Sequence, residues 1–344
     1  MTRDRGSPIR ERSVARESGA RTENGWLPAL RKGHSPRPLN QDMAAQTGQD
    51  VASRRVDLDV RTERDTSEVG VRYFDAGTGG DDEGKPPVVL LHGIGLDAAA
   101  ISWKRVVPVL ARDQQVLALD FPGHGGSDKP ARSYTTPYYA GVLDAFLDSI
   151  DVERAALVGI SMGGGIALGR ALDSPERVSQ LVLVDSHGLG RDAPWRAPGF
   201  LSLWMPGFDS LLTGSLRDPA TVSVGLRAMT VDPDPEFLAD VCETVTDGRT
   251  VRALTNWQRS EFGPCGLRTC YLDRLDELSV PTLLVHGRDD PVFPVTWSAR
   301  ADERIETSSF EPIEACGHWS PRERPVVFNR LVSDFLESEG DRAE

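Results

Sequence analysis

The chain has 344 residues, enough for one large α/β domain with an insertion or for two small domains, and enough to bury a sizeable core. Its formal net charge of −13 leaves no surplus of cations to neutralise phosphates, which excludes a nucleic-acid surface as the main function. Lysine is scarce and arginine common, which fits a salt-adapted surface or, more simply, a coding bias that writes arginine in place of lysine.

Residues 1–53 are rich in arginine, proline, serine and glycine without apolar periodicity, so they cannot bury enough surface to offset the entropy of ordering. A disordered tail is expected there. It lacks the apolar core of a secretory signal, and Met43 is a candidate for the true start. From Arg55 to Arg61 and from Val69 to Phe74 apolar and polar residues alternate, as in antiparallel edge strands with one wet face. Gly77, Gly79, Gly80 and the acidic stretch from Asp81 to Glu83 then signal a turn.

The run from Pro87 to Leu91 is continuously apolar, the mark of a strand covered on both faces, and it ends in the loop His92-Gly93-Ile94-Gly95. A helix from about Ala98 to Ala111, a buried strand from Gln115 to Asp120, a turn-rich loop to Asp128 and a helix from Pro137 to Ile150 follow. Ala155 to Gly169 then reads as strand, sharp turn and small-residue helix, with Ser161 at the tip of Gly159-Ile160-Ser161-Met162-Gly163. Leu181 to Asp185 is a further strand.

Residues 188–270 change character: they are too long for a crossover, carry Trp195, Phe200, Trp204, Met205 and Phe208, and show helical patterns at Pro219 to Met229 and Pro235 to Thr244. An inserted helical lid is expected, between core segments 54–187 and 271–340. The parallel pattern resumes with Pro281 to His286, the turn Gly287 to Pro291, a strand from Phe310 to Glu314, the loop Cys316-Gly317-His318-Trp319 and a helix from Glu323 to Leu336. Alternation of this kind gives an α/β, doubly wound, mostly parallel sheet with ligands gathered at the carboxyl ends of its strands.

A serine hydroxyl is a poor nucleophile at neutral pH; it needs a base to take its proton and a carboxylate to orient that base. In chain order Ser161, Asp290 and His318 supply the three groups. Asp289 and Asp185 are alternative acids, Asp185 reading more simply as a turn or cap residue. The developing oxyanion needs backbone donors, each worth roughly 3 kcal/mol of barrier, and Met162 and Ile94 are the candidates. Gly93, Ile160, Trp204 and Trp319 are candidates for the substrate pocket, with Trp319 equally suited to packing.

These motifs together resemble those of the α/β-hydrolase fold family: the HGxG loop at His92 to Gly95, the DxPGxGxS loop at Asp120 to Ser127, the GxSxG turn, the GxxD turn at Gly287 to Asp290, and Gly317-His318, over about three quarters of the chain. The family spacing favours Asp290 over Asp289. Ser161-Met162-Gly163-Gly164, the His318-Trp319 loop and Phe328 to Val332 are similar to the meta-cleavage-product C–C hydrolases and related esterases. That subgroup usually carries Asn where Ile160 stands, and its lid arginine has candidates here only in Arg227, Arg252 and Arg259. The resemblance implies that His92 and His124 buttress loops by hydrogen bonding. His187 and His286 read as structural or solvated.

The expectation is a cofactor-free, metal-free serine hydrolase acting on a small, largely apolar carboxylic ester through an acyl-enzyme. The alternatives are a C–C bond hydrolase or a ligand sensor that retains the three residues. Cys242, Cys265, Cys270 and Cys316 show no metal spacing and point to thiols in a reducing, cytoplasmic compartment, with a Cys265–Cys270 pair as the alternative. No apolar run reaches the ~18 residues of a membrane span. The partner expected is a small-molecule ester or ketone, with association into a homo-oligomer left open.

Overall fold

The alternation of apolar and polar residues near the start of the fold builds a hairpin. β1 (Val51–Arg61) and β2 (Thr66–Ala76) pair antiparallel from Val51 opposite Ala76 to Arg61 opposite Thr66, with Leu58 and Val60 inward and Asp57, Asp59 and Arg61 in water. The computed structural model describes residues 51–62, 66–77, 85–244 and 248–338. The expected tail up to residue 50, the alternative start at Met43 and the turn residues from Gly79 to Glu83 lie outside the described residues. β1 begins at Val51 rather than Arg55, because pairing with β2 gives backbone partners to residues that carry no apolar alternation of their own.

The continuous apolar runs become the central strands β3 (Val88–Leu91), β4 (Val116–Leu119), β5 (Ala155–Ile160) and β6 (Val178–Val184). With β9 (Thr282–Gly287) and β10 (Ser308–Ile313) they complete an eight-stranded sheet of order β1-β2-β4-β3-β5-β6-β9-β10. The sheet is parallel from β4 to β10, and β2 joins β4 antiparallel. Period-two alternation sorts the side chains into two cores. Leu91, Leu119, Leu157 and Leu183 share one face with α3 (Thr136–Ser149) and α4 (Met162–Asp173). Leu90, Ala118, Val158 and Val184 share the other with α1 (Ala99–Ser102), α2 (Val107–Leu110) and α12 (Pro325–Ser338).

One expected helix is split, and an unexpected short helix stands just ahead of another. Pro108 has no N–H to give the carbonyl of Lys104, so the segment from Ala98 to Ala111 forms α1 and α2 instead of one helix. Pro325 drives Arg324 out of the helical region (φ −134°, ψ 54°), which separates α11 (Ser320–Glu323) from α12.

Between β6 and β9 the chain forms α5 (Arg196–Leu203), α6 (Phe208–Ser215), α7 (Pro219–Arg227), α8 (Pro235–Thr244) and α9 (Gly248–Glu261). Two-residue strands β7 (Phe262–Gly263) and β8 (Gly266–Leu267) follow, and α10 (Thr296–Asp302) comes after β9. Sequence periodicity finds α7 and α8 but not α9, because polar Thr250, Thr255 and Glu261 stand among its buried positions and interrupt the apolar stripe.

The insert is fastened to the sheet domain by buried charge. Lys104 Nζ reaches Asp240 at 2.9 Å and Glu236 at 2.8 Å, and Arg322 reaches Asp240 at 2.9 Å from the opposite side. Phe237 packs edge-on against Trp319, with the Arg322 guanidinium 4.5 Å from its ring centroid. Trp257 of α9 donates to Thr136 Oγ1, whose own hydroxyl donates to Glu261 at 2.6 Å.

Candidate active site

The strand order puts the ends of β3, β5, β6, β9 and β10 along one rim. Ser161 is the first residue after β5 and has φ 53°, ψ −118°, a left-handed backbone that a non-glycine residue holds only under constraint. The constraint is visible: the Ser161 N–H donates to Val184, and its carbonyl accepts from both Gly165 and His187. Gly163 makes the turn feasible, because a Cβ there would collide with the carbonyl of Leu91 at the end of β3.

Asp290 follows β9 by three residues and His318 follows β10 by five. His318 Nε2 is 3.1 Å from Ser161 Oγ, and His318 Nδ1 is 2.8 Å from Asp290 Oδ2. Asp290 Oδ1 accepts the N–H groups of Val292 and Phe293, so both its oxygens are engaged. Ser161 and His318 are 8% and 4% exposed, so the chain of three groups is nearly closed to water.

Burial alone would raise the Asp290 carboxyl, but the imidazoles of His318 and His286 beside it outweigh that and hold it well below the usual carboxylate range. Burial works to lower His318, and the Asp290 carboxylate outweighs it, so the imidazole is raised above its ordinary value. A hydroxyl, an imidazole and a carboxylate in this order can pass one proton from the oxygen to the ring and stabilise the resulting cation.

A family model described as alpha/beta hydrolase fold matches residues 86–325. The chain belongs to the α/β-hydrolase fold family. It is 33% identical over 263 residues, 74% of this chain and 87% of the relative, to a 2-hydroxy-6-oxononadienedioate/2-hydroxy-6-oxononatrienedioate hydrolase of Cupriavidus pinatubonensis. It is 31% identical over 278 residues, 75% of this chain and 88% of the relative, to a 2-hydroxymuconate semialdehyde hydrolase of a Pseudomonas species. Among solved structures it is similar to a serine hydrolase involved in carbazole degradation, with a TM-score of 0.67 and 26% identity, covering 83% of this chain and 99% of that one.

In this α/β-hydrolase the HGxG loop is held against the nucleophile turn. A Cβ on Gly93 would lie 3.4 Å from Ser161 Cβ, so the loop backbone passes directly beside the serine. His92 Nε2 accepts the N–H of Phe121, and its Nδ1 donates to the Gly93 carbonyl at 2.6 Å, which settles its tautomer. His124 Nε2 accepts from Gly95. Ile94 is half-buried at this loop, and Met162 opens α4, where the first N–H groups of a helix have no partner inside it.

Three pocket candidates sit elsewhere than expected. Trp204 is 59% exposed: Leu203 is the residue of that turn that faces inward, and its neighbour about 100° further round the helix faces water. Ile160 is buried in the core with Val158 and Val184, as strand alternation requires. Trp319 is buried in that same core, packed on Phe237, with its Nε1–H donated to Ser102 Oγ at 2.7 Å. Of the candidate lid cations, Arg259 is engaged by Asp209 and the Leu203 carbonyl, and Arg227 and Arg252 are exposed.

All four cysteines are free thiols, so the Cys265–Cys270 pair does not form, and Cys265 is exposed. A cleft of about 1100 Å³ opens beside Arg132, Tyr138, Arg170, Glu261 and Tyr271, away from Ser161, Asp290 and His318. Among the described residues no helix is long and apolar enough to cross a membrane.

Several supporting residues escape sequence reading. Asp185 sits at a turn, as expected, with φ 44°, but its partners come from elsewhere in the chain: it accepts Gly287 N–H on one oxygen and the Ser320 hydroxyl on the other, bracing the β9 end against the histidine loop. Glu323 accepts N–H groups from Gly317, Trp319 and Val231, so it holds the backbone on both sides of His318. Asp97 accepts the Gly93 N–H at 2.7 Å. An acid just ahead of a helix and an acid reaching back to an N-cap are the signals that point to Asp97 and Glu323.

Proposed function

We propose that the protein is a serine hydrolase that adds water across the carbon–carbon bond beside the keto group of a conjugated 2-hydroxy-6-oxo acid. The observation that carries the serine mechanism is the unbroken contact from Ser161 Oγ through His318 to Asp290, on a serine held at positive φ. Ser161 loses its proton to His318 Nε2 as Oγ bonds to the keto carbon, and backbone N–H groups of Met162 and Ile94 receive the oxyanion. Before that attack the substrate shifts its 2-hydroxyl proton to the carbon beside the keto group, giving the 2,6-dioxo tautomer. Collapse of the adduct then breaks the bond between that carbon and the former keto carbon, the electron pair passes through the remaining double bond to the 2-oxo group, and His318 gives its proton to the resulting dienolate. Water, deprotonated by His318, then releases the acyl group as a carboxylic acid.

The same three side chains would open a carboxylic ester. What favours the carbon–carbon bond is that the curated relatives at 31% and 33% identity are named for 2-hydroxy-6-oxo acids and 2-hydroxymuconate semialdehyde. The helical insert between β6 and β9 acts as a lid in this reading, and its pinned α8 keeps one wall in place while water is excluded.

Turnover of a 2-hydroxy-6-oxo-dienoate is measured beside that of p-nitrophenyl esters, for the wild type and for Ser161→Ala. The expected result is dienoate turnover far above ester turnover, abolished by the substitution. Ester turnover equal or greater overturns the carbon–carbon reading, and dienoate turnover that survives Ser161→Ala overturns the serine mechanism.

A further inference from the structure

Between the histidine loop and the HGxG loop runs a buried chain of hydrogen bonds whose direction chemistry dictates. An indole N–H can only donate, so Trp319 Nε1 gives its proton to Ser102 Oγ at 2.7 Å. Ser102 is thereby an acceptor, and its own hydrogen goes to Asp97 Oδ2 at 2.7 Å. That same carboxylate oxygen accepts the Gly93 N–H at 2.7 Å, while Oδ1 accepts Ala98 N–H at 2.8 Å. Trp319, Ser102 and Asp97 are 3%, 0% and 1% exposed, so no water competes for any link. The two ends matter: Trp319 follows His318 directly, and Gly93 lies beside Ser161 Cβ and just before Ile94.

We infer that Trp319, Ser102 and Asp97 are positioning residues that hold the loop of the base and the loop of the oxyanion donors in register through one hydrogen-bond relay. The inference rests on the serine-hydrolase reading and adds to it the device that sets the distance between its two halves. Trp319 and Asp97 do not need to touch to be coupled, because Ser102 has a single proton and must orient to both neighbours at once. Losing the Ser102 hydroxyl leaves the indole N–H and one carboxylate lone pair buried without partners, and the Gly93 backbone is then free to shift relative to His318.

The test is the rate at which a fluorophosphonate labels Ser161, a step in which Oγ gives its proton to His318 and bonds to phosphorus, fluoride leaves and the phosphoryl oxygen takes the oxyanion position. Wild type, Trp319→Phe, Asp97→Asn and the Trp319→Phe/Asp97→Asn pair are compared, and the same four combinations are repeated in the Ser102→Ala background, with thermal unfolding in parallel. Expected are labelling about tenfold slower in Ser102→Ala, coupling between Trp319→Phe and Asp97→Asn in the wild-type background, and none in the Ser102→Ala background. Turnover should show the loss in kcat with KM little changed. Should Ser102→Ala fail to fold, the Trp319→Phe/Asp97→Asn cycle alone decides. Variants that unfold earlier yet label at the wild-type rate, or additive effects of Trp319→Phe and Asp97→Asn, overturn the relay. A wild type left unlabelled at Ser161 overturns the serine reading instead.

Discussion

His286 Nε2 stands 3.2 Å from Asp290 Oδ2, the same carboxylate oxygen that holds His318 Nδ1 at 2.8 Å. Two imidazoles therefore share one buried anion. His286 is also engaged by Ser298 at 2.7 Å on its other nitrogen and by the Phe293 carbonyl, which orients its ring toward the carboxylate.

The base form of His318 is the neutral one, and Asp290 raises this imidazole above its ordinary value of 6.5. Activity is thus present above the raised value and falls as pH drops through it, so the acid limb of kcat/KM, which reports the free enzyme, has its midpoint above 6.5. Asp290 itself stays ionised across that range, because the neighbouring imidazoles hold its carboxyl low. Asp290→Asn should lower kcat on the order of 10⁴-fold and move the acid midpoint downward. The pH profile of kcat/KM for the two proteins checks the midpoint, and kcat at the plateau checks the rate.

Asp240 neutralises Lys104 and Arg322, which are 2% and 1% exposed. Asp240→Ala leaves two buried cations short of an anion and should destabilise the fold by about 3–5 kcal/mol. Urea unfolding measures the loss. The triple variant Lys104→Met/Asp240→Leu/Arg322→Met removes the charges together and should recover most of it.

Glu236 is held down at about 2, chiefly by its hydrogen bond to Lys104. A carboxyl with a lowered value stabilises the fold above its unfolded value of ~4.3 and loses that contribution as pH falls toward 2. Wild type should therefore exceed Glu236→Gln in Tm at neutral pH, with the gap closing between about pH 4.5 and 2. Its side chain is 45% exposed, so salt should narrow the gap as well.

Glu323 Oε2 accepts from Gly317 and Val231 while Oε1 accepts from Trp319. A glutamine has one acceptor oxygen and turns an amide N–H toward the other donors. Glu323→Gln should cost about 1–3 kcal/mol of stability and lower kcat, since His318 sits between Gly317 and Trp319. Calorimetry and kcat on the same preparation test the two effects together.

The strands were legible because two-sided burial demands continuous apolar runs, and β3, β4 and β5 have them. The turn at Ser161 was legible because Gly159 and Gly163 flank it at fixed offsets. α9 was not, because polar Thr250, Thr255 and Glu261 stand among its buried positions, and the hydroxyl that Glu261 accepts from, Thr136, lies 125 residues away along the chain. Trp204 and Trp319 read alike as aromatic pocket residues; which one faces water and which one is buried depends on helix phase and on Phe237 and Ser102 arriving beside Trp319.

By itself the sequence determined the doubly wound sheet and the order of serine, acid and histidine along it, since local periodicity and turn chemistry act over a few residues. Only the tertiary structure decided which polar groups brace the site. Asp185 meets Ser320, Glu323 meets Val231, and Trp319 meets Ser102 across 217 residues. A buried hydrogen bond is specified by the meeting of two groups in space, and neither partner's neighbours in the chain carry a record of it.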